Sequence, residues 1–567
     1  MKFSEMPYER PNLDKMKVEF EKAIANLKNA QKPSHAVEAV KTVNRLRNNF
    51  HSALSLAFIR YCMNTRDEFY AKERNFYDET LPHMEALLFS FYETLLQSRF
   101  KEELEKTFGP QLFNIAEMTV RTFKPTILED LERENKLSTS YASLVSSAQV
   151  EFDGRKLTLS QLRAYELSPD RDTRRRACEA RYEFFARNQD QLDEIYDHLV
   201  KVRHEMARKL DLHSFVPLAY LRLKRSDYTI EDVAKLRRAV QIKVVPLIQK
   251  LREKQKKMLG VDKLKYYDRP ILLKEGNPRP VGSRVELVEA ARVMYEQMSD
   301  ATREFFNFML TNELMDLDSR EGKYPGGFCD FIPDHKSPFI FANFNGTSHD
   351  VEVLTHEAGH AFQVYRSRNF EVPEYYWPTT EACEIHSMGM EFLAWPWMEL
   401  FYKDRAEQAK LVHAWDALNF VAYGVCVDEF QHVVYQNPDL TPQERRKLWR
   451  QIEAKYMPEI DYDGNRYLED GGLWQQQMHI YESPFYYIDY VIAQFCAFQL
   501  LKRSFEDRVA TLQDYTKLCD LGGSLSFQGL LKAANIHSPF NEEMVESVGK
   551  WLYELIDSQI NRLNSSS

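Results

Sequence analysis

Apolar residues recur at three- and four-residue steps through most of the chain. In 13–27, Leu13, Met16, Phe20, Ala23, Ile24 and Leu27 share one helical face, with charged residues between them. The same period predicts helices over roughly 37–64, 66–98, 99–120, 124–138, 160–187, 189–211, 229–259, 284–315, 403–435, 441–456, 485–504, 511–521 and 541–562. Strand-like alternation is confined to short stretches, the clearest at 149–152 (QVEF) and 339–344 (FIFANF). The predicted fold class is therefore all-α with a few short strands. No internal repeat of fixed period is visible. Three stretches break the helical pattern: 260–283, rich in Gly and Pro, 318–350 and 457–484.

Composition narrows the function classes. The chain has 567 residues, 44% hydrophobic and 28% charged, which suits a globular protein and not a disordered one. Its net charge of −10 offers no basic face for nucleic acid. The one locally basic stretch, 171–187, is laced with Asp172, Glu179 and Glu183 and reads as a solvated helix face. The seven cysteines stand singly, without a CxxC pair, which predicts free thiols in a reducing compartment. The first residues carry no apolar leader, and no run of 18 apolar residues exists. The expectation is a cytoplasmic protein with no membrane and no nucleic-acid partner. Its oligomeric state is left open.

One motif carries chemistry. Residues 354–365 read LTHEAGHAFQVY and contain His356-Glu357-x-x-His360. On a helix, positions i and i+4 lie one turn apart on one face, so both imidazoles can reach a single ion. Glu357 is about 100° further round, where it can meet a water held by that ion without taking a ligand position. Composition alone would produce such a motif roughly 0.04 times in a chain like this, so chance explains it poorly. Thr347-x-x-Asp350 supplies a start signal for the helix. Gly359 weakens the helix by about 1 kcal/mol against Ala, which implies that something approaches its backbone closely.

The third ligand has to come from elsewhere. A metzincin would continue HxxGxxH, but Gln363 and Arg366 stand in that stretch. In 378–400, Pro378-Thr379-Thr380 reads as a helix start, and Glu381, Glu384, Met388 and Glu391 then share a face. Carboxylates on an otherwise apolar face are costly unless paired or bound to a metal. Glu384 is the best placed to ligate, with Glu381 or Glu391 as partners of the ligating imidazoles. His386 points about 200° away from Glu384 and reads as a core histidine.

These motifs together resemble the thimet oligopeptidase and oligoendopeptidase F family of zinc peptidases, and most closely its oligoendopeptidase F and Pz-peptidase branch. FIFANFNGTSHDVEVLTHEAGHAFQ, ACEIHSMGMEF, HIYESPFYYIDYVIAQ and the GGFC at 326–329 carry the resemblance, over roughly 200–555. It implies one Zn2+ ion held by His356, His360 and Glu384, with Glu357 as general base. His479, Tyr487 and Tyr490 match the family's oxyanion-side groups, with Tyr486 competing among the tyrosines and Ser483 standing where another branch has Tyr. It also implies two helical lobes flanking a deep channel, an N-terminal lobe over 1–190 and a zinc peptidase region over 191–567. Short flexible peptides would enter such a channel and folded proteins would not.

The expected chemistry is hydrolysis of internal peptide bonds in oligopeptides. Three ligands leave a fourth position for water, whose pKa zinc lowers toward ~7. Glu357 would take the water's proton and deliver it to the leaving amine. Tyr490 first and His479 second would donate to the oxyanion. The FIFANF strand could hold extended substrate by edge pairing, and Gly471-Gly472 could act as a hinge. Two rivals remain at this level: a zinc aminopeptidase, and a helical peptide-binding protein without catalysis. DYDGNRYLEDG at 461–471 has its Gly misplaced for a calcium loop. Cys383 reads as a small buried hydrophobe.

Overall fold

The computed structural model describes residues 1–324 and 326–566, with the side chains of 564–566 excepted. Helices dominate, and most fall where the period places them: Pro33–Met63, Glu68–Leu96, Gln189–Lys209, Ala406–Gln436, Pro442–Tyr456 and Tyr487–Glu506. Where a long periodic stretch divides, the chain contains a reason. Gly109, at φ +85°, separates Lys101–Phe108 from Pro110–Val120. Ser299 ends Arg284–Met298 and caps Asp300–Thr311 by accepting from Thr302 N. The helical run from Ile230 to Leu259 is continuous but carries a π turn over Val240–Val244, just before Pro246, which has no N–H to give the ladder.

Two small sheets complete the fold. Val150–Phe152 and Arg155–Leu157 form a hairpin. A three-stranded sheet places Ser337–Phe344 in the middle, parallel to Met315–Asp318 and antiparallel to Phe328–Ile332, with Cys329 opposite Ile340. The FIFANF segment is therefore a central strand whose backbone is paired on both sides. The expectation that it binds substrate at its edge does not hold, because the edge nearest to it belongs to Phe328–Ile332. The period of two was hidden there by the glycines that precede a strand of only five residues.

The apolar interior forms two large clusters. One is built from residues between Met16 and Ala116, sealed by Val372 and Tyr375. The other runs from Phe3 through the middle of the chain to Ile560 and surrounds Thr380–Leu393, which packs along Tyr487–Glu506. The starts of those two helices are pinned together. Fully buried Arg225 donates through Nη2 to Phe485 O and Asp489 Oδ1, both at 2.6 Å, and Asp489 also accepts from Thr380 Oγ1. Breaking such a buried pair by removing one partner costs about 3–5 kcal/mol, so the register between these helices is strongly fixed.

The basic stretch at 171–187 is neutralised, as expected, but not by its own face alone: Arg171 and Arg174 both reach buried Asp268. All seven cysteines are unpaired thiols. No helix among the described residues is long and apolar enough to cross a membrane. His51, Lys224 and Asp416 are exposed, yet the surrounding protein pushes His51 down to about 4 and Asp416 up to about 7.

Candidate active site

The segment carrying the motif starts at Thr347, whose side chain accepts from His349 N, while Asp350 accepts from the N–H groups of Asn345 and Gly346, both at 2.8 Å. It does not run as one regular α-helix. Val353–Glu357 is a π turn, and Ala358–Ser367 continues as α-helix. The wider turn carries His356 and Glu357, and the tighter one carries His360. Their imidazole rings stand 5.1 Å apart and nearly perpendicular. Inserted π turns are frequent at functional sites because they re-aim side chains locally.

Thr380–Leu393 crosses directly over this segment. A Cβ on Gly359 would lie 2.6 Å from His386 O and 2.8 Å from Ser387 Cα. Only glycine allows this approach, which accounts for the helix-weakening residue inside the motif. The crossing brings Glu384 Oε2 to 3.5 Å from His356 Nε2 and 3.6 Å from His360 Nε2. Both distances are too long for hydrogen bonds. Two ligand atoms each ~2.1 Å from one tetrahedral ion would stand about 3.4 Å apart. The two nitrogens and the carboxylate oxygen therefore fit a zinc ion, and all three residues offer ligand atoms within 4.8 Å of one another. The donor set, two imidazoles and one carboxylate, suits Zn2+ better than a hard oxygen-seeking cation.

Further groups orient these ligands. His356 Nδ1 meets Glu391 Oε1 at 2.6 Å, and His413 Nε2 meets Glu391 Oε2 at 2.8 Å. Trp395 Nε1 donates to His413 Nδ1 at 2.9 Å. An indole N–H can only donate, so His413 carries its proton on Nε2 and gives it to Glu391. Glu391 then faces both imidazoles, and His356 turns its Nε2 toward Glu384. Burial would raise the Glu391 carboxyl, but the hydrogen bonds from His356 and His413 hold it at about 2. Burial lowers His356, and it is outweighed by Glu391, Glu384 and Glu357, which push it up to about 10. Carboxylates this dense around two imidazoles favour a cation among them. On the far side of Glu384, Oε2 accepts from Ser387 Oγ at 2.9 Å and Oε1 from Tyr486 Oη at 2.8 Å.

Glu357 is half-buried and makes no side-chain hydrogen bond or ion pair among the described residues, so its carboxylate is available to a third party. Opposite stands His479, in the short helix Met478–Glu482. Tyr423 Oη donates to Gln477 Oε1 at 3.1 Å, and Gln477 Nε2 donates to His479 Nδ1 at 2.8 Å. His479 Nδ1 is thus an acceptor and its proton sits on Nε2. Burial lowers its pKa, with Glu384 raising it in part. The result is a neutral imidazole with one N–H to give. The rings of Tyr486, Tyr487 and Tyr490 surround it at centroid distances of 5.6, 5.1 and 5.7 Å. Tyr490 feels the charges of Glu384 and Glu357, whereas the only charge-type neighbour raising Tyr487 is Tyr490 itself, after burial. Phe485, buried at φ +67° with its N–H held by Gln431 Oε1 at 3.0 Å, turns the chain sharply from the His479 segment into the tyrosines.

The sequence pattern of the peptidase M3 N-terminal domain matches residues 3–123, and that of peptidase family M3 matches residues 164–550. The chain belongs to peptidase family M3. It is a metallo-oligopeptidase. A Pz peptidase A solved with an inhibitor is 51% identical, with a TM-score of 0.93 over 98% of this chain and 99% of that one. A protein assigned as an oligoendopeptidase F from Bacillus anthracis is 44% identical, with a TM-score of 0.89 over 98% of each chain. An oligoendopeptidase F homologue from Borreliella burgdorferi is 24% identical over 436 residues, 71% of each chain.

In this M3 peptidase the three expected ligands and Glu357 come together, with His479 and Tyr490 facing them. Tyr487 lies one layer back, edge-on to Phe420 and Tyr423. Of the two candidate partners for the ligands, Glu391 bonds His356. Glu381 does not: it is buried near Asp489 and Arg225, and burial first, then Asp489, pushes it up to about 8. His386 is buried beside Tyr515 and held neutral by burial, at about 3. The Gly471-Gly472 pair is wedged rather than hinge-like, since a Cβ would lie 2.1 Å from Arg446 O on the first and 2.4 Å from the Tyr467 ring on the second. Asp461 and Asp463 of the calcium-like loop are engaged by Lys263 and Lys265. Sequence reasoning missed His413, Trp395, Tyr423 and Gln477. For His413 and Tyr423 the one trace was a stripe on Ala406–Gln436, His413, Asp416, Phe420 and Tyr423, at helical spacing; Trp395 and Gln477 left none.

Proposed function

We propose that the chain is a zinc-dependent endopeptidase for short oligopeptides in which His356, His360 and Glu384 hold the ion. The observation that carries this reading is the pair of imidazole nitrogens at 3.5 and 3.6 Å from one Glu384 oxygen, with unbonded Glu357 beside them. Zinc bound there supplies Lewis acidity, lowering the pKa of a water toward ~7 and polarising a carbonyl. Glu357 accepts the proton of the attacking water and passes it to the departing amine. His479 Nε2–H and Tyr490 Oη–H donate to the oxygen that gains charge. His479 does so while uncharged, because Gln477 fixes its tautomer. Tyr487 packs edge-on against His479 and sets the tilt of its ring. Tyr486 is committed to Glu384, which orients the ligand and leaves Tyr490 as the better tyrosine donor. The outer edge of Phe328–Ile332 offers backbone pairing to an extended peptide. Unpaired thiols throughout fit a reducing cytoplasm.

The test is an internally quenched peptide blocked at both ends. Turnover with one zinc per chain, abolished by a chelator and restored by zinc, is the expected result. Cleavage only of peptides with a free amino terminus would replace this reading with an aminopeptidase. Zinc binding without any turnover would replace it with a binding protein.

A further inference from the structure

Away from the ligands, a cavity of about 450 Å³ is lined by Arg163, Arg181, Arg269, Glu166, Tyr182 and Gln476. Three guanidiniums meet two carboxylates here. Buried Glu166 is shared by Arg163, at 3.0 Å, and Arg181, while Arg269 pairs with Glu459 at 2.7 Å. One positive charge is left over. The donors are also incompletely used: Arg163 and Arg269 each bond a protein acceptor through Nη1 alone, which leaves the rest of each fork free. Tyr266 also lines the cavity with its ring, while its hydroxyl is buried beside Asn465.

The cavity is joined to the reacting centre through the backbone. Gln476, which accepts from Tyr182 Oη at 3.3 Å, directly precedes Gln477, the residue that sets the His479 tautomer. Arg163 also faces Asp416, on the helix Ala406–Gln436 that carries His413.

We propose that this cavity is an anchoring subsite for a carboxylate of the peptide substrate. The proposal rests on the peptidase reading given above. Two planar guanidiniums with free N–H groups suit a carboxylate. An anchor at a fixed place relative to His479 would hold the peptide in register and favour chains whose end reaches it.

The test compares one quenched peptide with a free carboxyl terminus, its carboxamide, and a carboxamide ending in Glu. The expected kcat/KM is about tenfold higher for the acid than for the plain carboxamide, mostly in KM. Arg163→Gln should bring that ratio to near one, and Arg163→Lys should keep part of it. Recovery with the Glu-ended carboxamide would assign the anchor to side-chain carboxylates, and no recovery would assign it to the terminus. Equal wild-type rates for all three peptides, or an unchanged ratio in Arg163→Gln protein of normal melting temperature, would overturn the proposal. The acid-to-amide ratio is also read as peptide binding to Glu357→Gln protein by fluorescence anisotropy. A failed anchor is thereby distinguished from a failed catalytic reading, which is reported by chelator-sensitive turnover of the plain carboxamide.

Discussion

Glu391→Gln is the sharpest probe of the ligand geometry. The native carboxylate accepts from His356 Nδ1 at 2.6 Å and His413 Nε2 at 2.8 Å. A carboxamide has one oxygen, so its NH2 group must face one of the two imidazoles. His413 cannot give way, because Trp395 Nε1 already donates to its Nδ1. If the carboxamide oxygen faces His413, its NH2 faces His356 Nδ1 and forces the His356 proton onto Nε2, the atom that would hold the ion. If it turns the other way, two donors meet at His413. A buried donor left without an acceptor costs about 1–3 kcal/mol, and loss of a ligand's orienting partner typically weakens metal binding about 10–100-fold. The two figures agree, at about 1.4 kcal/mol per tenfold. Zinc affinity measured by chelator competition should fall by that factor, with kcat at saturating zinc falling less. Adding His413→Phe removes the opposing donor and should restore several-fold of the loss. Zinc binding by Glu391→Gln within about twofold of the parent, or no gain from His413→Phe, would refute the tautomer argument.

Glu357→Gln should keep stoichiometric zinc and lose about 10²–10⁴ in kcat, checked by metal analysis alongside turnover. Tyr490→Phe should lose about 10²–10³ in kcat with KM nearly unchanged, and Tyr487→Phe far less; equal losses would reverse their ranking. Gly359→Ala should destabilise by about 1–3 kcal/mol or more, read as a lower urea midpoint, because its Cβ would lie 2.6 Å from His386 O. Asp428 gives the acid limb of stability. Burial raises it, but His432 and Arg237 hold it at about 2, below its unfolded value near 3.8. The unfolded chain therefore binds this proton first: the contribution, about 2 kcal/mol, is whole above about pH 4 and lost as pH falls through about 2. Asp428→Asn should flatten that limb in urea melts taken across pH.

The helices were legible because their apolar faces repeat over many turns, as Leu13 to Leu27 illustrate. The grouping of the candidate ligands was legible because an imidazole pair and a row of carboxylates make little sense on buried faces otherwise. Three kinds of feature were not. Strands of three to five residues, such as Phe328–Ile332, are too short to show a period, so the central place of FIFANF could not be foreseen. The π turn at Val353–Glu357 depends on what packs across it, not on its own residue types. The Trp395–His413–Glu391 chain joins side chains whose sequence separations say nothing of contact. Glu381 illustrates the opposite error, since it shares a face with Glu384 yet is drawn to Asp489 and Arg225.

The contact of Gly359 with the carbonyl of His386 has a further meaning. The two segments that carry the proposed ligands meet there main chain to main chain, in addition to the His356–Glu391 bond, so their spacing is fixed by the protein's own packing. Stripping the ion should leave a native, reloadable apoprotein with an unaltered circular dichroism spectrum, and reloading should be limited by diffusion to the site instead of by refolding. On the proposed reading, zinc would be a detachable reagent held by a scaffold that its own packing maintains.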